Sequence, residues 1–446
     1  MCWNIRAVSA RQSGEMNLPI AIRNRLPELP SLLNFTWILT AVEGERNPIV
    51  GEIADKLNAS MSFLRLFPSS SPVFERMQLH PSGDPPLVYA WLTMKKDMGE
   101  LALIERIRTR WGAAGRGNHG LARNVALGIG DDCAILRPPR GHEILVTTDF
   151  TLEGRHFRRD WHSPESVGHR TLARGLSDLA AMGARPLAAF LSLALPAEML
   201  ASRAGRVWVE RFFTGMRILA DQFNVPLAGG DSAESPCGLV LADIVLIGSA
   251  PAGRALRRSG GRAGDALYVT GELGGAAAEL AAIQLRAEKK HPPHRIQAAM
   301  KGAHGSVVHP QMYPQPRIAA GMALLRRRLA TAAIDLSDGL STDLAHLCRE
   351  SSVGAEVSAA ALPIHPLAGL DQISPKHVLK LALHGGEDYE LLFAAPPTAR
   401  MPRTVAGVRI TRIGSLVRGS SISLLGPSGD RSPLQLGGWE HFTNNN

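Results

Sequence analysis

The chain is short of aromatics, soft metal ligands and long apolar runs, and each shortage excludes a class of function. Aromatic residues are only 5% of the 446, and although the formal net charge is +9, the basic residues are dispersed apart from short runs such as Arg326-Arg327-Arg328. A nucleic-acid surface needs a concentrated basic footprint interleaved with stacking rings. Nucleic acid is therefore not an expected partner. Cys2, Cys133, Cys237 and Cys348 stand far apart with no Cys-x-x-Cys pair, which argues against a zinc site or a disulfide framework. No apolar run reaches the roughly 18 residues of a membrane helix, and the N-terminus lacks the basic, apolar, small-residue order of a secretory signal. A cytoplasmic protein without a membrane partner is expected. Also absent are a Gly-x-x-x-x-Gly-Lys-Ser/Thr loop and the His-Arg-Asp and Asp-Phe-Gly elements of protein kinases, so the common nucleotide folds are disfavoured.

What the chain does have is a scattered set of glycine-flanked carboxylates: Gly128-Ile-Gly-Asp-Asp132, Thr147-Thr-Asp149, Gly229-Gly-Asp231, Asp335-Leu-Ser-Asp-Gly339 and Gly385-Gly-Glu-Asp-Tyr-Glu390. Glycine allows close backbone approach to a ligand, and carboxylates without soft neighbours favour hard, oxygen-seeking cations. The combination points to metal-chelated phosphate and an enzyme that handles nucleotide.

Residues 1–97 carry loosely spaced prolines and a Ser69-Ser-Ser-Pro72 stretch, with only short apolar pieces at 32–42 and 53–67. Such a segment is a flexible extension, a small accessory unit, or sequence upstream of a true start at Met98. From Met98 the texture becomes regular. Helices are expected at 100–111, 165–182 (stopped by Gly183 and Pro186), 198–223, 274–286, 317–329 and 340–349, and strands at 133–136, 143–149, 187–195, 239–248 and 266–270. This alternation is that of an α/β or α+β protein. Ser249-Ala-Pro-Ala-Gly253 is the expected boundary between a domain at 98–250 and a second at 251–446, and the His/Pro/Lys-rich 289–316 is expected to be a solvated loop.

Each motif has a plain structural reading beside the chemical one. Asp131 and Asp132 are two acids in a turn, which solvent alone accounts for. Thr147 to Asp149 end a strand, where side chains converge on ligands but polar residues also simply terminate pairing. Asp178, four residues after Arg174 in an apolar helix, fits an i,i+4 ion pair worth a few tenths of a kcal/mol. Gly229-Gly-Asp231 reads as a close-approach loop with one metal ligand, or as an Asx turn. Ser337 or Asp338 serves as a helix cap worth about 1 kcal/mol, a role compatible with phosphate at the same helix terminus.

Taken together and in order, these segments resemble the thiamine-monophosphate kinase family. The resemblance runs through Gly128 to Ala134, Thr147 to Asp149 with Gly154-Arg-His-Phe157, Leu176-Ser-Asp-Leu-Ala-Ala-Met-Gly-Ala184, Gly229 to Asp231, Gly253-Arg-Ala-Leu-Arg-Arg-Ser-Gly260, Ala333 to Leu340, Gly385 to Leu391 and Trp439-Glu-His-Phe442. It implies a two-domain fold like that of aminoimidazole-ribonucleotide synthetase. An N-terminal α/β domain would pair its strands with a second subunit in a homodimer, and a C-terminal α/β domain would cover the nucleotide. The implied reaction moves the ATP γ-phosphoryl group to thiamine monophosphate. By position, Asp132, Thr148, Asp149, Asp178, Asp231, Asp335 and Asp338 resemble the magnesium shell. Asp132, Thr147, Gly230, Asp231, Arg258 and Ser337 resemble the ATP contacts. Asp149, Asp338 and Arg258 match catalytic positions, and His156, Glu387 and Trp439 match substrate positions.

An indole face at Trp439 suits a thiazolium cation, by roughly 0.5–2 kcal/mol, ordinary packing being the weaker alternative for a tryptophan there. The acceptor's phosphate monoester is already ionised near neutral pH and requires no general base, so direct in-line transfer without a phosphoenzyme is expected. Two departures stand out. Gly175 occupies a position where the family often has Asn, and Glu234 follows Gly-Gly-Asp where a basic residue is usual. The extension before Met98 also lies outside the family pattern. Another ATP-dependent synthetase of the superfamily and a non-catalytic ATP-binding regulator are the alternatives.

Overall fold

The computed structural model describes residues 100–112, 124–287, 309–369, 375–426 and 428–440. All of them fall in one compact unit, Asp97–Asn446. The expectations for 1–97 and most of 289–316 lie outside the described residues.

Helix α1 (Glu100–Gly112) precedes two short paired strands, β1 (Val125–Leu127) and β2 (Ile135–Leu136). A four-stranded sheet follows in the order β3-β6-β4-β5, from β3 (His142–Leu152), β4 (Arg185–Leu195), β5 (Leu227–Glu234) and β6 (Leu241–Pro251). Helix α2 (Pro164–Ala181) lies on one face. Ser163 accepts the Ser166 N–H at its N-terminus, Pro164 occupies the first turn, and Gly183 beyond its end takes φ 67°, so the stop read from Gly183 holds. The helix is buried except at Glu165, Arg174 and Asp178, because α4 (Arg203–Phe223) covers its far side and α6 (Ile318–Arg326) packs against it as well. Arg174 and Asp178 are four residues apart and so share one face.

Gly175 has a packing reason. A Cβ there would fall 2.7 Å from Leu246 Cδ1 on β6, so a larger residue requires that leucine side chain to move. The sequence reading of one helix over 198–223 is corrected. Ser202 adopts an extended conformation and accepts the Gly205 N–H, which ends α3 (Ala197–Ala201) and begins α4.

The second sheet has the order β14-β13-β9-β12-β7-β10-β8, with β11 paired to β12. Its strands are β7 (Ala266–Thr270), β8 (Ala332–Asp335), β9 (Gly354–Ser358), β10 (Leu391–Ala395), β11 (Thr404–Val405), β12 (Val408–Val417), β13 (Ile422–Leu425) and β14 (Arg431–Pro433). Helices α5 (Gly275–Ala287), α7 (Leu340–Ser351) and α8 (Pro375–His384) accompany it, and a core built on Leu267, Val269, Leu344, Leu347, Leu392 and Ile413 fills the space between. Strand β8 sits at the sheet edge and contacts α2, which places Asp335 beside that helix's open face. The mixed α/β class expected from the alternating pattern is the class observed. The solvated-loop reading fails over 309–316: Gln311 is buried, and Glu279 of α5 accepts the backbone N–H of Gln311 and pairs with His309. A buried carboxylate there fixes the segment.

Candidate active site

Strand β3 sends alternate side chains to opposite faces of its sheet. Thr147 and Asp149 take the face covered by α2, where they meet its two open positions. The Thr147 hydroxyl donates to Asp178 Oδ2, and Arg174 donates through Nε and Nη2 to Asp149 Oδ1 at 3.0 and 2.9 Å. The hydrogen-bonded partner of Arg174 is therefore Asp149 rather than Asp178. One residue before Asp178, the Ser177 hydroxyl donates to Asp335 Oδ2 at 2.7 Å, joining α2 to β8. Burial first and the Asp335 charge second push the Asp178 carboxyl up to about 7, and burial likewise raises Asp335. Arg258, although exposed, is close enough for its charge to oppose both shifts.

Three segments of the second domain converge next to this group. The backbone after β8 runs beside the 385–390 loop: Leu336 N–H donates to Glu390 O, Glu387 N–H to Ser337 O and Tyr389 N–H to Leu336 O, at 2.8 to 2.9 Å. Trp439 N–H donates to Asp338 O at 2.9 Å, hanging the C-terminal segment from the same turn, with the indole 47% exposed. The expected cap of α7 by Ser337 or Asp338 is not what forms. Gly339 is the N-cap residue, and Asp343 reaches back to accept the N–H groups of Asp338 and Gly339 at 3.1 and 3.0 Å. Burial first, then the Asp335 and Asp338 charges, push the Asp343 carboxyl up to about 8.

The loop carries three acids with separate tasks. Asp388 accepts the N–H groups of Gly274 and Ala276 at the start of α5, and buried Glu390 pairs with Arg317 and accepts the Thr270 hydroxyl. Only Glu387 turns toward α2. There Arg170 Nη2 donates to Glu387 Oε1 at 2.7 Å, Arg174 Nη1 to the same oxygen at 3.2 Å and Gln311 Nε2 to Oε2 at 2.8 Å. Burial alone would raise this carboxyl, but the two guanidinium groups outweigh it and hold it below its ordinary value. The same Arg170 nitrogen donates to His156 O at 2.9 Å, so His156 and Glu387 share one arginine. His156 Nδ1 accepts the Leu152 N–H at 2.9 Å, which sets the ring proton on Nε2.

Other expected site residues stand apart from this group. Thr148 projects to the opposite sheet face and donates to Asp243 Oδ1 at 2.6 Å. Gly229, Gly230 and Asp231 form part of strand β5 rather than a loop, and Gly230 lies level with Asp149 in the register, three strands away. That separation is roughly 14 Å at about 4.8 Å per strand. A Cβ at Gly230, with φ 152°, would fall 1.9 Å from Leu191 O, so the strand requires glycine. Asp231 is exposed and accepts the N–H of the next residue, Ser232, at 2.9 Å, one residue short of the expected Asx turn. Asp132 is exposed in the turn after Gly130, where its N–H donates to Asp131 Oδ1.

Among the described residues no three histidine, cysteine or carboxylate side chains form a ready-made metal cage. The Asp149, Asp178 and Asp335 group nevertheless fits a hard cation. Its donors are oxygens only, Asp178 and Asp335 repel one another, and magnesium is ordinarily held by one or two carboxylates completed by water and substrate phosphate. Arg170, Arg174, Gln311, Ser177, Asp243 and Asp343 were not singled out for the site from sequence. Arg174 had a signal, its i,i+4 spacing from Asp178, and Asp343 meets its partners four and five residues back, whereas the others meet theirs only through tertiary contacts.

Two family models match the chain: AIR synthase related protein, N-terminal domain, over residues 130–250, and AIR synthase related protein, C-terminal domain, over 262–423. The Escherichia coli (strain K12) thiamine-monophosphate kinase is 38% identical over 323 residues, covering 72% of this chain and 93% of that protein. The crystal structure of the thiamine-monophosphate kinase from Stenotrophomonas maltophilia K279a superposes with a TM-score of 0.61 at 34% identity, over 75% of this chain and 98% of that one. A structure described as AaThiL complexed with AMPPCP and TMP gives 0.57 at 26% identity, over 81% and 100%. With both domains matched and 93% of the Escherichia coli enzyme covered, the chain belongs to the thiamine-monophosphate kinase family.

Proposed function

We propose that the protein transfers the γ-phosphoryl group of ATP to thiamine monophosphate, giving thiamine diphosphate and ADP. The observation that carries this reading is the joining of two chemically distinct halves. The oxygen-donor group of Thr147, Asp149, Asp178 and Asp335 suits metal-bound phosphate, and Arg170 ties His156 to Glu387 beside it. The AaThiL structure, described with AMPPCP and TMP together, supports the same pair of substrates.

Asp149, Asp178, Asp335 and Asp338, with Asp132 and Asp231, are the residues we assign to holding several magnesium ions, while Thr148, on the outer face of β3, is left to its bond with Asp243. Bound magnesium would screen the two polyanions and neutralise charge on the transferring group. The hydroxyls of Thr147 and Ser177 keep Asp178 and Asp335 oriented. Thr147, Gly230, Ser337 and Arg258, together with Asp132 and Asp231, are assigned to ATP, and Asp149, Asp338 and Arg258 to the reacting phosphates. His156, Glu387 and Trp439 are assigned to thiamine monophosphate, the exposed indole lying against the thiazolium cation. The acceptor phosphate is ionised at neutral pH, so no residue needs to remove a proton, and the chain's task is alignment.

In this reading the chain divides into an extension (1–97), an N-terminal ATP- and magnesium-binding domain (98–250) and a C-terminal domain (251–446). The gap between the two family matches, 250 to 262, supports its inner boundary. A cytoplasmic location and a homodimer formed through the first sheet belong to the same reading. The outer face of β3 exposes Ile144, Val146 and Phe150 at 43%, 64% and 59%, an apolar row that a second copy would cover. Incubation with Mg·ATP and thiamine monophosphate should yield thiamine diphosphate. No product from folded, ATP-binding protein overturns the assignment.

A further inference from the structure

One guanidinium spans both halves of the site. Arg174 Nε and Nη2 both end on Asp149 Oδ1, while its Nη1 donates to Glu387 Oε1 at 3.2 Å and to the Tyr389 hydroxyl at 3.1 Å. Asp149 comes from β3, Arg174 from α2, and Glu387 and Tyr389 from the loop before β10, so a single side chain links three segments and both domains. The loop it grips is strained. Glu387 and Tyr389 take φ of 68° and 51°, a left-handed conformation unfavourable for non-glycine residues. Such residues persist only where their surroundings over-determine them, and Glu387 is held by Arg170, Arg174 and Gln311 together.

We propose that Arg174 is a positioning residue that couples nucleotide binding to acceptor binding by fixing the metal-side carboxylate of Asp149 against the substrate-side carboxylate of Glu387. The inference rests on the kinase reading. Because both Arg174 bonds to Asp149 fall on Oδ1, the guanidinium orients that carboxylate while leaving Oδ2 for a cation. A shift of either carboxylate is transmitted to the other through the planar fork. Lysine, with one charged nitrogen on a flexible stem, cannot serve both.

The test compares the full-length wild-type chain with Arg174→Leu, Arg174→Lys and a control, Arg211→Gln, which removes the exposed α4 partner of Glu165 on the same helix. Calorimetry measures thiamine monophosphate binding with and without Mg·AMPPCP. In the wild type and the control, the nucleotide analogue should tighten acceptor binding by about fivefold or more. In both Arg174 variants the ratio should fall to nearly one, and kcat at saturating substrates should drop roughly 10–100-fold. A residue that merely stabilises the fold would lower the melting temperature and leave the ratio unchanged, and that result overturns the proposal, as does a wild type with no coupling. If Arg174→Leu does not fold, Arg174→Lys decides. The coupling ratio requires no turnover, so failure to form thiamine diphosphate counts against the kinase reading and not against the coupling.

Discussion

Asp178 and Asp335 are two acids from different domains held within repelling range, each steadied by a hydroxyl, Thr147 for the first and Ser177 for the second. Burial and mutual repulsion both disfavour their ionised forms. Without a bound cation this arrangement costs stability, a cost commonly found at functional sites.

Replacing either acid with its amide should therefore stabilise the metal-free protein while abolishing activity. Asp178→Asn and Asp335→Asn should each raise thermal stability by about 1 kcal/mol in the presence of EDTA. Turnover should fall at least roughly 100-fold. Melting curves paired with thiamine diphosphate assays check both signs, and variants that are less stable and remain active would remove the pair from the site.

Glu387 is the counter-ion of Arg170, which is 1% exposed. Truncation to alanine leaves that guanidinium buried without a carboxylate and should cost about 3–5 kcal/mol. Glu387→Gln keeps the shape and should cost less, while still weakening thiamine monophosphate binding. Urea unfolding and acceptor titrations separate the two effects.

His162 supplies a pH dependence. It is 4% exposed, and burial together with the Arg170 charge pushes its imidazole down to about 4 from an ordinary 6.5. The unfolded chain takes up this proton before the folded one does. The contribution is thus complete above pH 6.5 and is lost as pH falls toward 4, on the order of 3 kcal/mol at full extent. His162→Gln should flatten the acid limb of stability across that window, as measured by denaturant melts at stepped pH.

Trp439, 47% exposed, is the residue assigned to the acceptor's cationic ring. Trp439→Ala should raise KM for thiamine monophosphate about two- to fivefold, with Trp439→Phe intermediate and the ATP dependence unchanged. Steady-state kinetics with each substrate varied shows whether the loss falls on the acceptor alone.

A charge in the apolar row of β3 should break self-association. Val146→Lys places an ammonium where a second copy would cover a side chain now 64% exposed. Sedimentation should show a monomer for the variant and a dimer for the wild type, and a monomeric wild type removes the assembly from the proposal.

The sequence by itself determined much of this protein. Periodicity and the Gly183 stop signal located α2, because helix ends depend on neighbours within a few residues. The glycine-flanked acids announced metal and phosphate chemistry, and their order announced the family. Local signals were insufficient where a distant partner decides. Gly229-Gly-Asp231 looked like a loop because glycine disfavours strands, yet β4 draws it into pairing. Ser337 and Asp338 looked like caps, but Asp343, only four and five residues on, takes that role, a contest between near neighbours and not a distant contact. Arg174 looked like the partner of Asp178 one turn away, but its hydrogen bonds reach Asp149 and Glu387, 25 and 213 residues distant in the chain. The acids proposed as metal ligands could be picked out as candidates because carboxylate chemistry resides in the residue. Which of them meet, and the arginine that joins them to the acceptor side, was decided only by tertiary structure, since contact between distant segments depends on how strands register and helices pack.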